Sequence, residues 1–182
     1  MKVHISIPFR ADKNLGRAYN EAFEQIGADD WACFMDIDTL FLTPQQPLQL
    51  EKYAKDNENA GILTCYTNRI SNLAFEQLLG GKSNEDDRIR RHIELARSIE
   101  NNYGVSPIVR GELSGYLMLI SKKAWLQCPC PEYLEKGGSI GVDTMWSRAM
   151  RRSGRPLMRM NSIYIWHTYR IEKGIHDKEH LK

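Results

Sequence analysis

Asp36, Asp38 and His167 stand where strand-like runs end. Trp31-Ala32-Cys33-Phe34-Met35 is a continuous apolar run that delivers Asp36-Ile37-Asp38, and the run from Met158 to Trp166 delivers His167. Carboxylates at i and i+2 of an extended chain point to the same side, and taking them out of water requires a cation or strong donors. Asp36 and Asp38 therefore suit a hard divalent ion with oxygen ligands, Mg²⁺ or Mn²⁺, bound together with a diphosphate. Isolated, such a pair reads first as solvated aspartates in a turn; the apolar lead-in brings the two readings level.

The elements that must position these side chains can be read from periodicity. Val3 to Ile7 alternates apolar and polar residues and closes at Pro8, which predicts a first strand followed by a loop carrying Arg10 and Asp12. Leu15, Ala18, Ala22, Phe23 and Ile26 recur at helical spacing, so a helix is expected over about 14 to 27, capped by Asp12 or Asn14 and stopped at Gly27. Further strands are expected at 31–35, 61–66, 115–121 and 158–166, with helices near 48–57, 86–101, 122–128 and 142–153. The small, polar stretch Gly80 to Asp87 is the expected mobile loop. Strands alternating with helices predict a three-layer α/β/α fold with a mostly parallel central sheet, whose ligands bind beyond the carboxyl ends of the strands. The acidic pair and His167 could meet there.

Composition bounds the function. The 182 residues are 42% hydrophobic and 26% charged, enough for one domain with a real core, and the net charge of +2 gives no bulk case for nucleic acid or a membrane surface. No signal-like segment opens the chain, and no run approaches the roughly 18 apolar residues of a membrane span. Cys33 and Cys65 read as buried free thiols, and the spacing of Cys128 and Cys130 is unlike that of zinc pairs, so a reducing compartment without structural zinc is expected.

Ile7-Pro8-Phe9-Arg10, then Asn14 to Phe23, then Asp30 to Asp38 resembles the GT-A-fold glycosyltransferases, most closely the β-1,4-galactosyltransferase type. In that family a Pro-Phe-Arg segment closes the first strand and holds the nucleotide, an Asn-bearing helix follows, and an Asp-x-Asp strand end binds metal and sugar nucleotide. Gly115-Tyr116-Leu117-Met118-Leu119-Ile120-Ser121-Lys122-Lys123-Ala124-Trp125 looks like the family's glycine-led strand running into a Ser-Lys-x-x-aromatic helix start. Gly141-Val142-Asp143-Thr144-Met145-Trp146-Ser147-Arg148 looks like its acidic motif ahead of a helix, where one Asp is the general base, and Ile165 to Arg170 resembles the closing segment whose His completes the metal site. The matches run in order from Val3 to about Arg170.

The resemblance implies a single GT-A-like domain over residues 1–170, followed by a charged tail over 171–182. Its implied reaction moves a sugar from a nucleotide-diphosphate donor, a UDP-sugar by preference, to a glycan or other hydroxyl acceptor with inversion. Asp38 and His167, with Asp36 on metal or donor, would hold Mn²⁺ or Mg²⁺; Asp143 would be the catalytic base. Pro8, Phe9, Arg10, Arg17 and Asn20 would line the donor site, since guanidinium forks suit phosphate oxygens, although Arg17 reads first as a solvent-facing helix residue. Trp146 and Tyr116 are the candidates for an acceptor-stacking wall, with Trp125 more simply core. Without the anchor and stalk of secretory relatives, a small microbial or viral, cytoplasmic member is implied. Two features differ from the family: only a short segment separates Arg10 from Asn20, leaving the nucleobase unassigned, and Val142 and Thr144 replace acids beside Asp143.

Other readings compete. Phe34 to Leu40 is similar to the haloacid-dehalogenase phosphatase signature, with Asp36 as nucleophile and Asp38 as acid/base, but Leu40 occupies a Thr or Val position. A nucleotidyltransferase lacks its Gly-rich loop here. A GT-A domain that binds a sugar nucleotide or glycan without turnover is the reading from another class. The arginines from Arg148 to Arg159 read as a solvated face before any acidic-glycan or nucleic-acid contact, and His176 and His180 as part of a frayed tail.

Overall fold

The computed structural model describes residues 1–70, 76–84, 86, 88–109, 112–132 and 141–168. In chain order its elements are β1 (Val3–Ser6), α1 (Leu15–Glu24), β2 (Trp31–Met35), β3 (Thr39–Phe41), α2 (Gln45–Asp56), β4 (Ile62–Thr67), a 3-10 turn (Leu79–Gly81), α3 (Ile89–Ile99), β5 (Val105–Pro107), β6 (Leu117–Ser121), α4 (Lys122–Gln127), α5 (Val142–Arg152) and β7 (Leu157–His167). The 171–182 tail, with His176 and His180, and the Gly137-to-Ile140 stretch lie outside the described residues.

Unbroken apolar runs become the middle of the sheet, because a strand covered on both faces needs apolar side chains at every position. β2 and β6 are buried along their whole length. Trp31, Cys33, Met35, Leu117 and Leu119 enter a core that also holds Leu50, Tyr53 and Ala54 of α2. The alternate residues Ala32, Phe34, Met118 and Ile120 enter a second core with Tyr19 and Phe23 of α1, Ala124 of α4 and Trp146 and Met150 of α5. The protein is thus a mixed α/β domain with helices against both faces of one sheet.

The sheet order is β1-β2-β6-β4-β7-β3, with β5 pairing β7 as well. β1 is parallel to β2 and β4 to β7, whereas β6 runs against both β2 and β4, and β3 and β5 run against β7. Four strands, β1, β2, β4 and β7, therefore share one direction. Among the described residues the expected parallel majority holds only by four strands to three, because β6 is inserted between the two parallel pairs and makes the central ladders antiparallel.

Local chemistry fixes the helices that matter for the site. Asn14 caps α1 by accepting the Arg17 backbone N–H at 3.0 Å, and Ser121 caps α4 by accepting that of Ala124 at 3.0 Å. α5 carries Asp143 in its first turn and Arg151 and Arg152 in its last, matching the helix dipole at both ends. α2 begins before the expected residue 48 and runs through Pro47, which occupies the first turn, where no intrahelical N–H bond is lost.

Candidate metal centre and adjoining cleft

The four codirectional strands end on one edge of the sheet and hand their following residues to one place. β1 leads to Pro8 and Phe9, β2 to Asp36 and Asp38, β4 to Asn68 and Arg69, and β7 ends on His167. β6, running the other way, begins there with Gly115 and Tyr116 just ahead of it.

The Asp-Ile-Asp segment is a tight turn rather than a loose loop. The Asp36 carbonyl accepts the Thr39 backbone N–H at 3.1 Å and the Thr39 hydroxyl at 2.7 Å, while the Asp36 N–H donates to the Tyr116 carbonyl at 3.1 Å. β3 then pairs Thr39 with His167, and the Asp38 carbonyl accepts the Thr168 N–H at 2.9 Å and its hydroxyl at 3.0 Å. This register places the end of β7 beside the acidic pair, and ligand atoms of Asp36, Asp38 and His167 all lie within 4.8 Å of one another.

His167 is buried, and its Nδ1 lies 3.0 Å from the Arg69 carbonyl. A carbonyl only accepts, so Nδ1 carries a hydrogen and Nε2 is the atom turned toward Asp38, 3.4 Å from its Oδ1. That nitrogen and that oxygen attract only with positive charge between them, either a proton on Nε2 or a metal ion bound by both. Ligand atoms about 2.1 Å from a divalent ion sit roughly 3 to 4 Å apart, so the trio could hold a divalent metal ion with small side-chain adjustments. Burial raises the Asp36 carboxyl above its ordinary value; His167 works against this, and Asp38 and Asp143 add to it. Burial also acts to raise Asp38, but its bond to His167 and that imidazole's charge prevail and hold it lower.

Asp143 is brought to the same end. Its Oδ2 accepts the Gly115 N–H at 2.8 Å and its Oδ1 the Thr144 N–H at 2.8 Å. The Gly115-Tyr116 segment thus bonds Asp143 through one residue and Asp36 through the next. Glycine is required at Gly115 by close approach, because a Cβ there would sit 2.8 Å from the Asp143 Cβ. Burial raises the Asp143 carboxyl above its ordinary value, against the pull of the backbone N–H groups of Thr144 and Gly115.

Beside the trio lies a cleft of about 640 Å³ lined by Ile7, Pro8, Phe9, Leu15, Met35, Asp36, Ile37 and Asp38. Pro8 and Phe9 line this cleft beside the acidic pair, with Phe9 84% and Ile37 85% exposed at its rim. Leu15 also borders a groove of about 400 Å³ shared with Asp12, Glu132 and Val142.

Other expected site residues are placed differently. Arg10 pairs with Asp12 at 2.8 Å and Glu21 at 2.5 Å, and Arg17 pairs with Glu21 at 3.1 Å, so neither guanidinium lines the cleft. Asn20 is a buried structural clamp: its Oδ1 accepts from Trp125 Nε1 at 2.8 Å and the Cys130 N–H at 3.0 Å, and its Nδ2 donates to the Cys130 carbonyl at 3.0 Å and to Glu132 at 2.9 Å. Its hydrogen bonds are used within the protein. Tyr116 and Trp146 are fully buried, with the Tyr116 hydroxyl on the Cys65 carbonyl at 2.5 Å and Trp146 Nε1 on the Cys128 carbonyl at 2.9 Å, and so present no wall to an acceptor. Tyr116 instead packs behind His167 with ring centroids 5.4 Å apart. Arg148 bonds Glu112, Arg151 the Val109 carbonyl and Arg155 Gln127, as a solvated face does.

Two buried amides were not anticipated. Asn68 bonds the backbone of His167, and Gln77 accepts the Ser114 N–H at its Oε1 and donates from Nε2 to the Ser114 carbonyl and the Thr64 hydroxyl. Asn after an apolar strand reads as a turn residue, and the residues that Asn68 bonds lie 99 positions away, so nothing local marks its role. No helix among the described residues is long and apolar enough to cross a membrane. No protein-family model matches this chain, and no curated protein matches it either.

Proposed function

We propose that the protein is a metal-dependent glycosyltransferase of GT-A type, moving a sugar from a nucleotide-diphosphate donor, by preference a UDP-sugar, to a glycan or other hydroxyl acceptor with inversion. The observation that carries the reading is the gathering of Asp36, Asp38 and His167 within 4.8 Å at codirectional strand ends. The shared Gly115-Tyr116 segment supports it further by tying Asp143 to the same edge. Helices against both sheet faces support the three-layer architecture expected of such an enzyme.

Asp36, Asp38 and His167 would hold Mn²⁺ or Mg²⁺, which when bound neutralises charge developing on a leaving diphosphate. Phe9, Ile7 and Ile37 offer apolar surface to the donor beside that centre. Asp143 takes the proton of the acceptor hydroxyl as its oxygen attacks the anomeric carbon opposite the diphosphate; the bond to the diphosphate breaks and the configuration inverts. A carboxylate held above its ordinary pKa by burial is the stronger base for this step.

The phosphatase reading uses both aspartates but gives no role to a buried imidazole 3.4 Å from Asp38. The test is release of nucleoside diphosphate from a panel of nucleotide sugars with Mn²⁺ and mixed hydroxyl acceptors. Metal-dependent release that is lost in Asp143→Ala supports transfer. Hydrolysis of simple phosphate monoesters, with nucleotide sugars untouched, would replace it with the phosphatase.

A further inference from the structure

We infer that Asn68 is a positioning residue of the metal centre, holding His167 as a ligand by standing in for a missing rung of the sheet. This inference rests on the metal reading of Asp36, Asp38 and His167.

The parallel ladder between β4 and β7 runs as far as Thr67 opposite Ile165, where β4 ends. β7 continues two residues further, to His167, and on that stretch has β3 on one side only. The side chain of Asn68 fills the other side. Its Oδ1 accepts the His167 N–H at 2.7 Å and its Nδ2 donates to the His167 carbonyl at 3.0 Å, both within the buried interior. A primary amide carries one acceptor and one donor face, as a peptide group does, so it can serve both backbone groups of one residue. Thr67 steadies the amide by donating its hydroxyl to Asn68 Oδ1 at 3.2 Å. The next residue, Arg69, supplies the carbonyl that fixes Nδ1 of the same imidazole.

Three consecutive residues at the end of β4 thus hold the backbone, the ring orientation and the tautomer of one side chain. The backbone bonds set where the His167 Cα sits, and the carbonyl sets which nitrogen faces Asp38. Partners that orient metal-binding histidines in this way commonly contribute 10- to 100-fold to metal affinity.

The test titrates the intact protein with MnCl₂ alone by calorimetry and records the nitrogen modulation of bound Mn²⁺ by pulsed electron paramagnetic resonance. Asn68→Ala removes both bonds. Asn68→Asp keeps the shape and one acceptor but cannot donate to the His167 carbonyl when ionised. Gln46→Ala is the control: Gln46 is equally buried and bonds the same strand at the Tyr164 carbonyl (2.9 Å), away from His167. Both Asn68 variants are expected to lose about 10- to 100-fold in Mn²⁺ affinity and to weaken the imidazole-nitrogen signal. The loss in Asn68→Asp is the more telling, because an added negative charge by itself would tighten binding. Gln46→Ala should lower the melting temperature and leave both readouts unchanged. Folded Asn68 variants that bind Mn²⁺ as the wild type does, with the nitrogen signal intact, overturn the inference alone. Failure of the wild type to bind Mn²⁺ overturns the metal reading, and this inference with it.

Discussion

Gly115→Ala is the sharpest probe of how the base is held. An added Cβ would lie 2.8 Å from the Asp143 Cβ and 3.3 Å from its Oδ2, whereas ordinary contacts begin at 3.4 Å. The first of these atoms belongs to the stem of a side chain in the opening turn of α5, so the overlap of about 0.6 Å is relieved only by moving Asp143 or the Gly115 backbone. Either movement stretches the 2.8 Å bond from the Gly115 N–H to Asp143 Oδ2. A hydrogen bond to a charged group contributes about 1.5–3 kcal/mol net, so stability should fall by about 2 kcal/mol, or roughly 4–8 °C for a chain of this size. A displaced base has a larger effect on rate: misplacement on the ångström scale costs about 100-fold. The assay compares single-turnover sugar transfer with Mn²⁺-dependent nucleotide binding in the same variant. Transfer should fall about 100-fold with nucleotide affinity unchanged. Wild-type transfer rates in a folded Gly115→Ala protein, or a loss confined to nucleotide affinity, would refute the argument that this peptide places the base.

Asp38→Ala and His167→Ala should each weaken Mn²⁺-dependent nucleotide binding by about 100-fold, roughly 2.7 kcal/mol, measured by calorimetry; unchanged affinity would remove these residues from the metal set. Asn20→Ala leaves Trp125 Nε1 and the Cys130 backbone without their partners, so it should lower stability by on the order of 3 kcal/mol while nucleotide affinity stays put. Trp146→Phe likewise strands the Cys128 carbonyl; denaturant unfolding should show a loss of about 1–3 kcal/mol with acceptor KM unchanged. The Arg10 guanidinium, with the Asn14 backbone N–H, holds the Asp12 carboxyl at about 2 rather than 3.8. Because this pKa is depressed on folding, its stabilisation is present above pH 3.8 and lost as pH falls toward 2. The melting-temperature difference between wild type and Asp12→Asn should therefore close over that interval, and a difference independent of pH would show that Arg10 is not held there.

Much of the architecture is legible in the residues themselves because burial on two faces leaves a continuous apolar signature. Trp31–Met35 and Leu117–Ser121 are such runs, and α1 and α5 carry apolar stripes that meet the second core. β3 and β5 escape this reading, since each is only three residues long and exists through its pairing with β7. Strand direction also escapes it: an apolar run looks the same whichever way it enters a sheet, so the reversed central β6 leaves no local trace. In the site, the aspartates and His167 announce themselves by ending apolar runs. Aromatics do not announce their surroundings, and Tyr116 and Trp146 prove to be core because their polar tips find backbone carbonyls inside the protein. Asn20 and Asn68 are both buried amides bonding residues about a hundred positions away, which only the folded chain reveals.

If one site takes a divalent metal and a nucleoside diphosphate together, a thermal-shift matrix reads both at once. UDP, GDP, CDP and ADP would each be added with and without Mn²⁺ to the wild type and to Asp38→Ala, since a ligand bound by the folded state raises its melting temperature by mass action. The melting temperature should rise only with Mn²⁺ and a nucleoside diphosphate together, most with UDP, and should not rise in Asp38→Ala. No rise with any pair, or a rise that survives the loss of Asp38, would contradict such a shared site.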